Sequence, residues 1–242
     1  WGDESGNLLL KRIVDAADRG VRVRLILDDL STMLEDETHP KLRDVPAAVI
    51  DSHPNIQVRL FNPWHNRAIT GRVLESFERL ERINHRMHNK LLNVDNRATI
   101  IGGRNVGNEY FGMSPTFNFR DLDVLGVGPV ARQASAVFDR FWNGDWSYPI
   151  STLVDRTYTE ADLRDTFATL SEMIGTAQYA YPLEEDVKSL IGQFEEIRDS
   201  LIWAPGQVIW DDPSIIEEGK EAAVMHEALN RKLQTLEKEL LI

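Results

Sequence analysis

Within Asn84–Gly112, NHRMHNKLLNVDNRATIIGGRNVGNEYFG, His88 stands two positions before Lys90, and Asp95 follows Lys90 after four intervening residues. A Gly102-Gly103-Arg104-Asn105 run comes next. On a strand, residues two apart point to the same side, so His88 and Lys90 present an imidazole and an ammonium to one pocket. Such a pair suits a phosphodiester: the ammonium sits as a point charge on a phosphoryl oxygen, and the imidazole serves as nucleophile or proton carrier. Asp95 falls where a turn is expected, better placed to tie backbone or neighbouring side chains than to touch a substrate. The glycines let a backbone pass close to the site, and Asn105 can offer an amide N–H to an oxyanion. The competing reading is an ordinary hairpin with a core histidine. The joint register of His, Lys, Asp and Asn weighs against it.

The elements that must position these groups are readable from apolar spacing. Leu91, Leu92 and Val94, then Ala98, Ile100 and Ile101, predict two short strands turning at Asp95-Asn96. Upstream, Leu8, Leu9, Ile13, Ala16 and Ala17 predict a helix capped by Asp3 or Ser5 and ended by Gly20. Val21–Leu27 then reads as a strand closing on Asp28-Asp29, half of a parallel β-α-β unit. The two acids read as turn or cap residues in preference to metal ligands.

Three prolines interrupt residues 31–54 around a short helix near Leu42–Ile50, and Ile56–Phe61 is a further strand. His39, His53 and His65 have no partner spacing and are expected at the surface. Val73, Phe77, Leu80 and Ile83 predict a half-buried helix. A sharper alternative makes it a basic amphipathic face on anionic lipid, with Trp64 as interfacial anchor. Beyond the motif, Gly107–Phe111 reads as a short helical turn, Phe117–Val127 as a strand, and Val130, Ala134, Val137, Phe138, Phe141 and Trp142 as one amphipathic helix.

Residues 151–242 change character. Helices are expected around Glu160–Ile174 and Pro182–Leu201, a short strand at Val208–Trp210, an acidic helix from Pro213 to about Leu236, and a strand beginning at Leu240–Ile242. Residues 1–150 carry 20 acidic and 19 basic side chains, whereas 151–242 carry 19 and 8, so the net charge of −12 lies almost entirely in the second stretch. Between positions 82 and 104, Arg82, Arg86, Lys90, Arg97 and Arg104 are opposed only by Asp95. A basic pocket on a nearly neutral body suits one phosphate ester and not a long nucleic-acid track. There is no cysteine, which excludes disulfides and thiolate metal sites. No apolar run approaches a membrane span.

The motif residues resemble the HKD motif of the phospholipase D superfamily. The longer text RMHNKLLNVDN, IIGGRNVGNEYFG and DLDVLGVGPV resembles the amino-terminal half of bacterial cardiolipin synthases, nearest the class C type. The likeness is strong over residues 1–147 and loose beyond. It implies an α/β fold: a phospholipase D-like α-β-α sandwich half with a mixed central sheet flanked by helices over 1–147. A mostly helical bridging segment, 148–242, would then lead towards a second half.

It also implies phosphatidyl transfer through a phosphohistidine, with no cofactor and no metal. His88 belongs to the nucleophile-and-acid pair, Lys90 and Asn105 hold non-bridging oxygens, and Asp95 braces the motif. An acidic residue on the strand after the Gly-x-Asn element orients the histidine, with Asp121 the first choice and Asp123 the second. The expected partners are a phospholipid substrate such as phosphatidylglycerol, a membrane surface, and a second HKD half in the same full-length chain or a homodimer. No nucleic acid is expected, and placement is cytoplasmic or peripheral on the bacterial inner membrane.

His226 is followed at the second position by Ala228, so no second His-x-Lys-x4-Asp is present. With Trp1 opening directly into a helix, the sequence reads as a fragment. Two rivals remain: a phospholipase D-type nuclease or phosphodiesterase using the same chemistry, and an inert half-domain that needs its complement.

Overall fold

The computed structural model describes residues 3–29, 45–64, 86–179, 187–214, 224–235 and 237. The expected helix at 70–83, His39, His65 and the strand at 240–242 lie outside the described residues. Helix α1 (Glu4–Asp18) is capped by the Asp3 side chain, which accepts from the Gly6 N–H at 2.9 Å. Gly20 follows its end at φ +91°, a conformation costly for any residue with a Cβ. The chain then enters β1 (Val23–Asp28), which pairs in parallel with β2 (Ile56–Phe61) from Val23↔Ile56 to Asp28↔Phe61. Short helix α2 (Val45–Ile50) precedes β2.

Strand β2 is the spine of the molecule. Its alternating residues Ile56, Val58 and Leu60 are buried with Val14 and Ala17 of α1, Val49 and Ile50 of α2, and Ile150 and Leu163. On its other side Phe61 meets Val137 and Phe141 of α3 (Pro129–Trp142). The period-two pattern thus builds a helix–sheet–helix layering around one strand. Arg59 and Arg24 are not core residues in spite of this. Their guanidiniums stack on Trp142 at 4.6 and 5.4 Å, covering the aromatic end of α3 while staying charged.

The central sheet expected as one layer is divided in two. The first holds β1, β2 and β6 (Ser147–Pro149), the last antiparallel to β2. The second is an antiparallel meander of β3 (Lys90–Val94), β4 (Ala98–Gly102) and β5 (Asp123–Val127). Helix α3 serves both, lying on the second sheet where Gly126 leaves room for Val130. Helix α4 (Glu160–Thr176) opens with a Thr159–Asp162 capping box and packs on α1 and α2. Ile150 and Leu163 therefore complete a core begun by residues 14–60, across the boundary expected at 147/148.

Three expectations are corrected. His53 is not a surface residue: it is 8% exposed, with Nε2 3.1 Å from Asp18 and Nδ1 accepting the Asn55 N–H, and so ties the end of α1 to the approach to β2. Phe117–Leu122 is irregular, and only Asp123–Val127 pairs. Val208–Trp210 forms no strand. It is held against α3 instead, the Trp210 ring against Phe141 and the Val208 N–H on the Gln133 side chain. Helices α5 (Val187–Ser200) and α6 (Val224–Gln234) follow. No helix among the described residues is long and apolar enough to cross a membrane.

Candidate active site

The site forms where the carboxyl ends of the parallel strands β1 and β2 meet the start of β3, the place where open parallel sheets offer free backbone and divergent loops. Asp28 ends β1, and its carboxylate accepts the Met87 N–H at 2.8 Å. Arg86 stands 3.7 Å from the same carboxylate, donates to the Asn62 carbonyl at 3.0 Å, and lies 5.4 Å over the Trp64 ring. Asp29, fully buried, accepts the Trp64 N–H at 2.8 Å. Trp64 is itself 2% exposed, which removes it as an interfacial anchor. The two aspartates do anchor a loop and a strand entry, and no cluster of metal-binding side chains exists among the described residues.

From this anchorage the chain passes through exposed His88 into β3. Lys90 pairs with Gly102, and Gly102 with Asp123, in one row across three strands. Directly opposed residues share a face, so Lys90 and Asp123 project to the same side. The two glycines are required for space. A Cβ on Gly102 would sit 1.8 Å from Asp123 Oδ1 and 2.8 Å from the Leu122 carbonyl, and one on Gly103 would sit 2.3 Å from Asp121 Oδ1. Both carboxylates are thus pressed onto bare backbone. Gly102→Ala must displace main chain and should cost about 1–3 kcal/mol of stability by urea unfolding. Gly103→Ala needs to move only the tip of Asp121 and should cost less. Equal, negligible losses would overturn this account of the pair.

The carboxylates are used differently. Asp123 is held by Arg104, Nε to Oδ2 at 2.6 Å, and the Arg104 guanidinium also donates to the Tyr110 carbonyl and lies 5.4 Å over Phe111. Asp121 instead faces Lys90. Burial lowers the Lys90 pKa below the ordinary lysine range, while the charges of Asp121 and Asp28 pull it back up. The ammonium also donates to the His88 carbonyl at 2.8 Å. A partly desolvated ammonium within the field of two carboxylates is a strong electrostatic partner for an oxyanion.

The expected residues are therefore only partly assembled. Lys90 and Asp121 are brought together, with His88 beside them on the chain. The His88 imidazole makes no hydrogen bond to Asp121 or to any other group among the described residues. Asn105 donates its amide to the Tyr110 hydroxyl at 2.8 Å, and Tyr110 stacks on Phe119 at 4.7 Å. Asp95 sits at the hairpin tip with φ +51°, followed by Asn96 at +57°, the turn closed by the Arg97 N–H on the Val94 carbonyl at 2.9 Å. It is five positions along the chain from Lys90, roughly 16 Å in extended backbone. Its role is the left-handed turn, and its carboxylate bonds nothing among the described residues. The loop after Asn105 is pinned to α1: the Asn108 N–H donates to Asp3 at 2.7 Å and its Oδ1 accepts from the Ser5 N–H at 3.1 Å. Arg86 and Arg104 were expected only as part of a basic neighbourhood and Asp28 only as a turn or cap residue, since the partners of Asp28, Arg86 and Arg104 are 59, 24 and 19 positions away along the chain.

A family described as "Cardiolipin synthase, PLD-like domain" matches residues 5–142. Cardiolipin synthase C of Escherichia coli K12 is 37% identical over 96% of this chain and 46% of its own length. An uncharacterised protein of Helicobacter pylori 26695 is 35% identical over 89% of the chain and 41% of that protein. The major cardiolipin synthase of Bacillus subtilis 168 is 31% identical over 59% of the chain and 26% of that enzyme. The chain spans about half the length of the first two of these relatives.

Proposed function

The chain belongs to the cardiolipin synthase family of PLD-like domains, and on that premise we propose that it is one catalytic half of a phosphatidyltransferase that exchanges phosphodiesters between phospholipids. The reaction proceeds in two displacements. One histidine of a pair, His88 being one member, attacks the phosphorus of a donor such as phosphatidylglycerol. A P–N bond forms, the P–O bond to the departing glycerol breaks, and the second histidine protonates that alkoxide. The same second histidine then takes the proton of an acceptor hydroxyl on another phospholipid. The resulting alkoxide attacks phosphorus, the P–N bond breaks, and cardiolipin is released. Lys90 stabilises the non-bridging oxygens at both steps, and Asn105 joins it once its amide turns from Tyr110.

The observation that carries this reading is the single row Lys90–Gly102–Asp123, with Asp121 on Gly103 and His88 at its open end. A second supports the need for a complementary half. The face of β3–β4–β5 that bears Lys90 leaves Leu92 53%, Val94 51%, Ile100 42% and Leu125 37% exposed. An apolar surface this continuous beside a site marks a docking face. The second histidine comes from that half, in the same full-length chain or in a second copy.

The test is a transfer assay on phosphatidylglycerol vesicles with a metal chelator present throughout. It compares this chain with one extended through a second His-x-Lys-x4-Asp. Cardiolipin from the extended chain alone is the expected result. Cardiolipin from the short chain would mean that two copies complete the site. Cleavage of a generic phosphodiester by both, with no cardiolipin, would replace this reading with that of a phosphodiesterase.

A further inference from the structure

Asp28 lies on the first sheet, yet it touches the segment that carries His88 on the second. The carboxylate is nearly enclosed, as is Arg86, each side chain being 12% exposed. One oxygen takes the Met87 N–H at 2.8 Å and the other faces Arg86 at 3.7 Å. Arg86 in turn is held by the Asn62 carbonyl just past β2. Met87 and Arg86 are the two residues immediately before His88. The entry to β3 is thus fastened to the ends of β1 and β2 by a buried charge pair and not by sheet pairing.

We infer that Asp28 is a positioning residue for the strand that carries Lys90: it fixes the backbone immediately before His88. This rests on the function proposed above. The geometry gives Asp28 two separable contributions. As a hydrogen-bond acceptor it orients the peptide that leads into His88, in the way outer partners orient reactive imidazoles in other sites. As a charge it opposes the desolvation of Lys90. The charges that act on Lys90 are those of Asp121, from the approach to β5, and of Asp28 from β1. Asp123, in the same row, is engaged by Arg104.

Two variants separate the contributions. Asp28→Asn keeps an oxygen for the Met87 N–H and loses the charge, whereas Asp28→Ala loses both. In this chain, NMR would follow Met87 amide exchange and the titration of the Lys90 side-chain carbons. Both variants should titrate Lys90 at lower pH than the parent, and Asp28→Ala should lose more Met87 protection than Asp28→Asn, which keeps the acceptor but not the charge pair with Arg86. In the full-length gene product, Asp28→Ala should lower kcat about 10–100-fold, with KM within about twofold. Asp28→Asn should lose less kcat at neutral pH than Asp28→Ala and bring its alkaline fall to lower pH. An unmoved Lys90 titration in both variants, or undiminished kcat in Asp28→Ala, overturns the inference. The NMR readouts do not depend on turnover. His88→Ala run alongside reports on the proposed function separately: undiminished transfer in His88→Ala would remove that reading and, with it, this one.

Discussion

Replacing His88 with alanine should lower phosphatidyl transfer by on the order of 10⁴-fold or more, the scale on which loss of a covalent nucleophile or its proton partner is felt. The same substitution should leave the fold unchanged. His88 is exposed, and its ring holds no hydrogen bond among the described residues, so its loss opens no cavity and strands no buried polar group. The measurement is the initial rate of cardiolipin formation by the purified full-length variant, with circular dichroism and melting run in parallel. Activity within tenfold of the parent would remove His88 from the reaction. A large drop in melting temperature would show instead that its side chain carries structural weight.

Lys90→Met should be the second most damaging change, about 10²–10³-fold in kcat, comparable to removing one preorganised donor from an oxyanion site. Here the pH dependence gives a sharper test than the magnitude. Burial disfavours the charged ammonium, so Lys90 releases its proton below the ordinary lysine range in spite of Asp121 and Asp28. In the proposed mechanism the useful form is the protonated one. The rate should therefore be steady while Lys90 is charged and fall on the alkaline side at a pH lower than an exposed lysine would give. Lys90→Met should abolish that fall along with most of the rate. Lys90→Arg should move it upward, because guanidinium stays charged, while still losing rate through its different shape. An alkaline fall that persists unchanged in Lys90→Met would assign it to another group.

Together with the glycine pair and Asp28, these substitutions describe one object. It is a backbone row made bare by Gly102 and Gly103, on which carboxylates and an ammonium are crowded at close range. Two of these carboxylates have ion-pair partners, Arg104 for Asp123 and Arg86 for Asp28, while the charge of Asp121 acts on Lys90 without an ion pair. Removing one partner leaves the other desolvated, which is why single changes here should exceed those at ordinary surface positions.

What the sequence determined by itself is what depends on near neighbours. The β3–β4 hairpin and its Asp95-Asn96 turn, the span of β2, the α1 cap at Asp3 and the stripe of α3 all follow from period and turn chemistry over a few residues. The His88–Lys90 spacing is equally local, but the strand begins only at Lys90, so His88 precedes it instead of sharing its face. The tertiary structure alone decided the rest, because it rests on contacts between distant positions. His53 became buried because Asp18 and Asn55 met it from two directions. Trp64 became interior because Asp29 took its backbone N–H. Val208–Trp210 found the side of α3 and not a strand partner. Asp28 entered the site from 59 residues before Met87. Spacing along the chain records which groups share a face, but a buried charge pair is chosen by the fold, since only there is water excluded and each charge made to need the other.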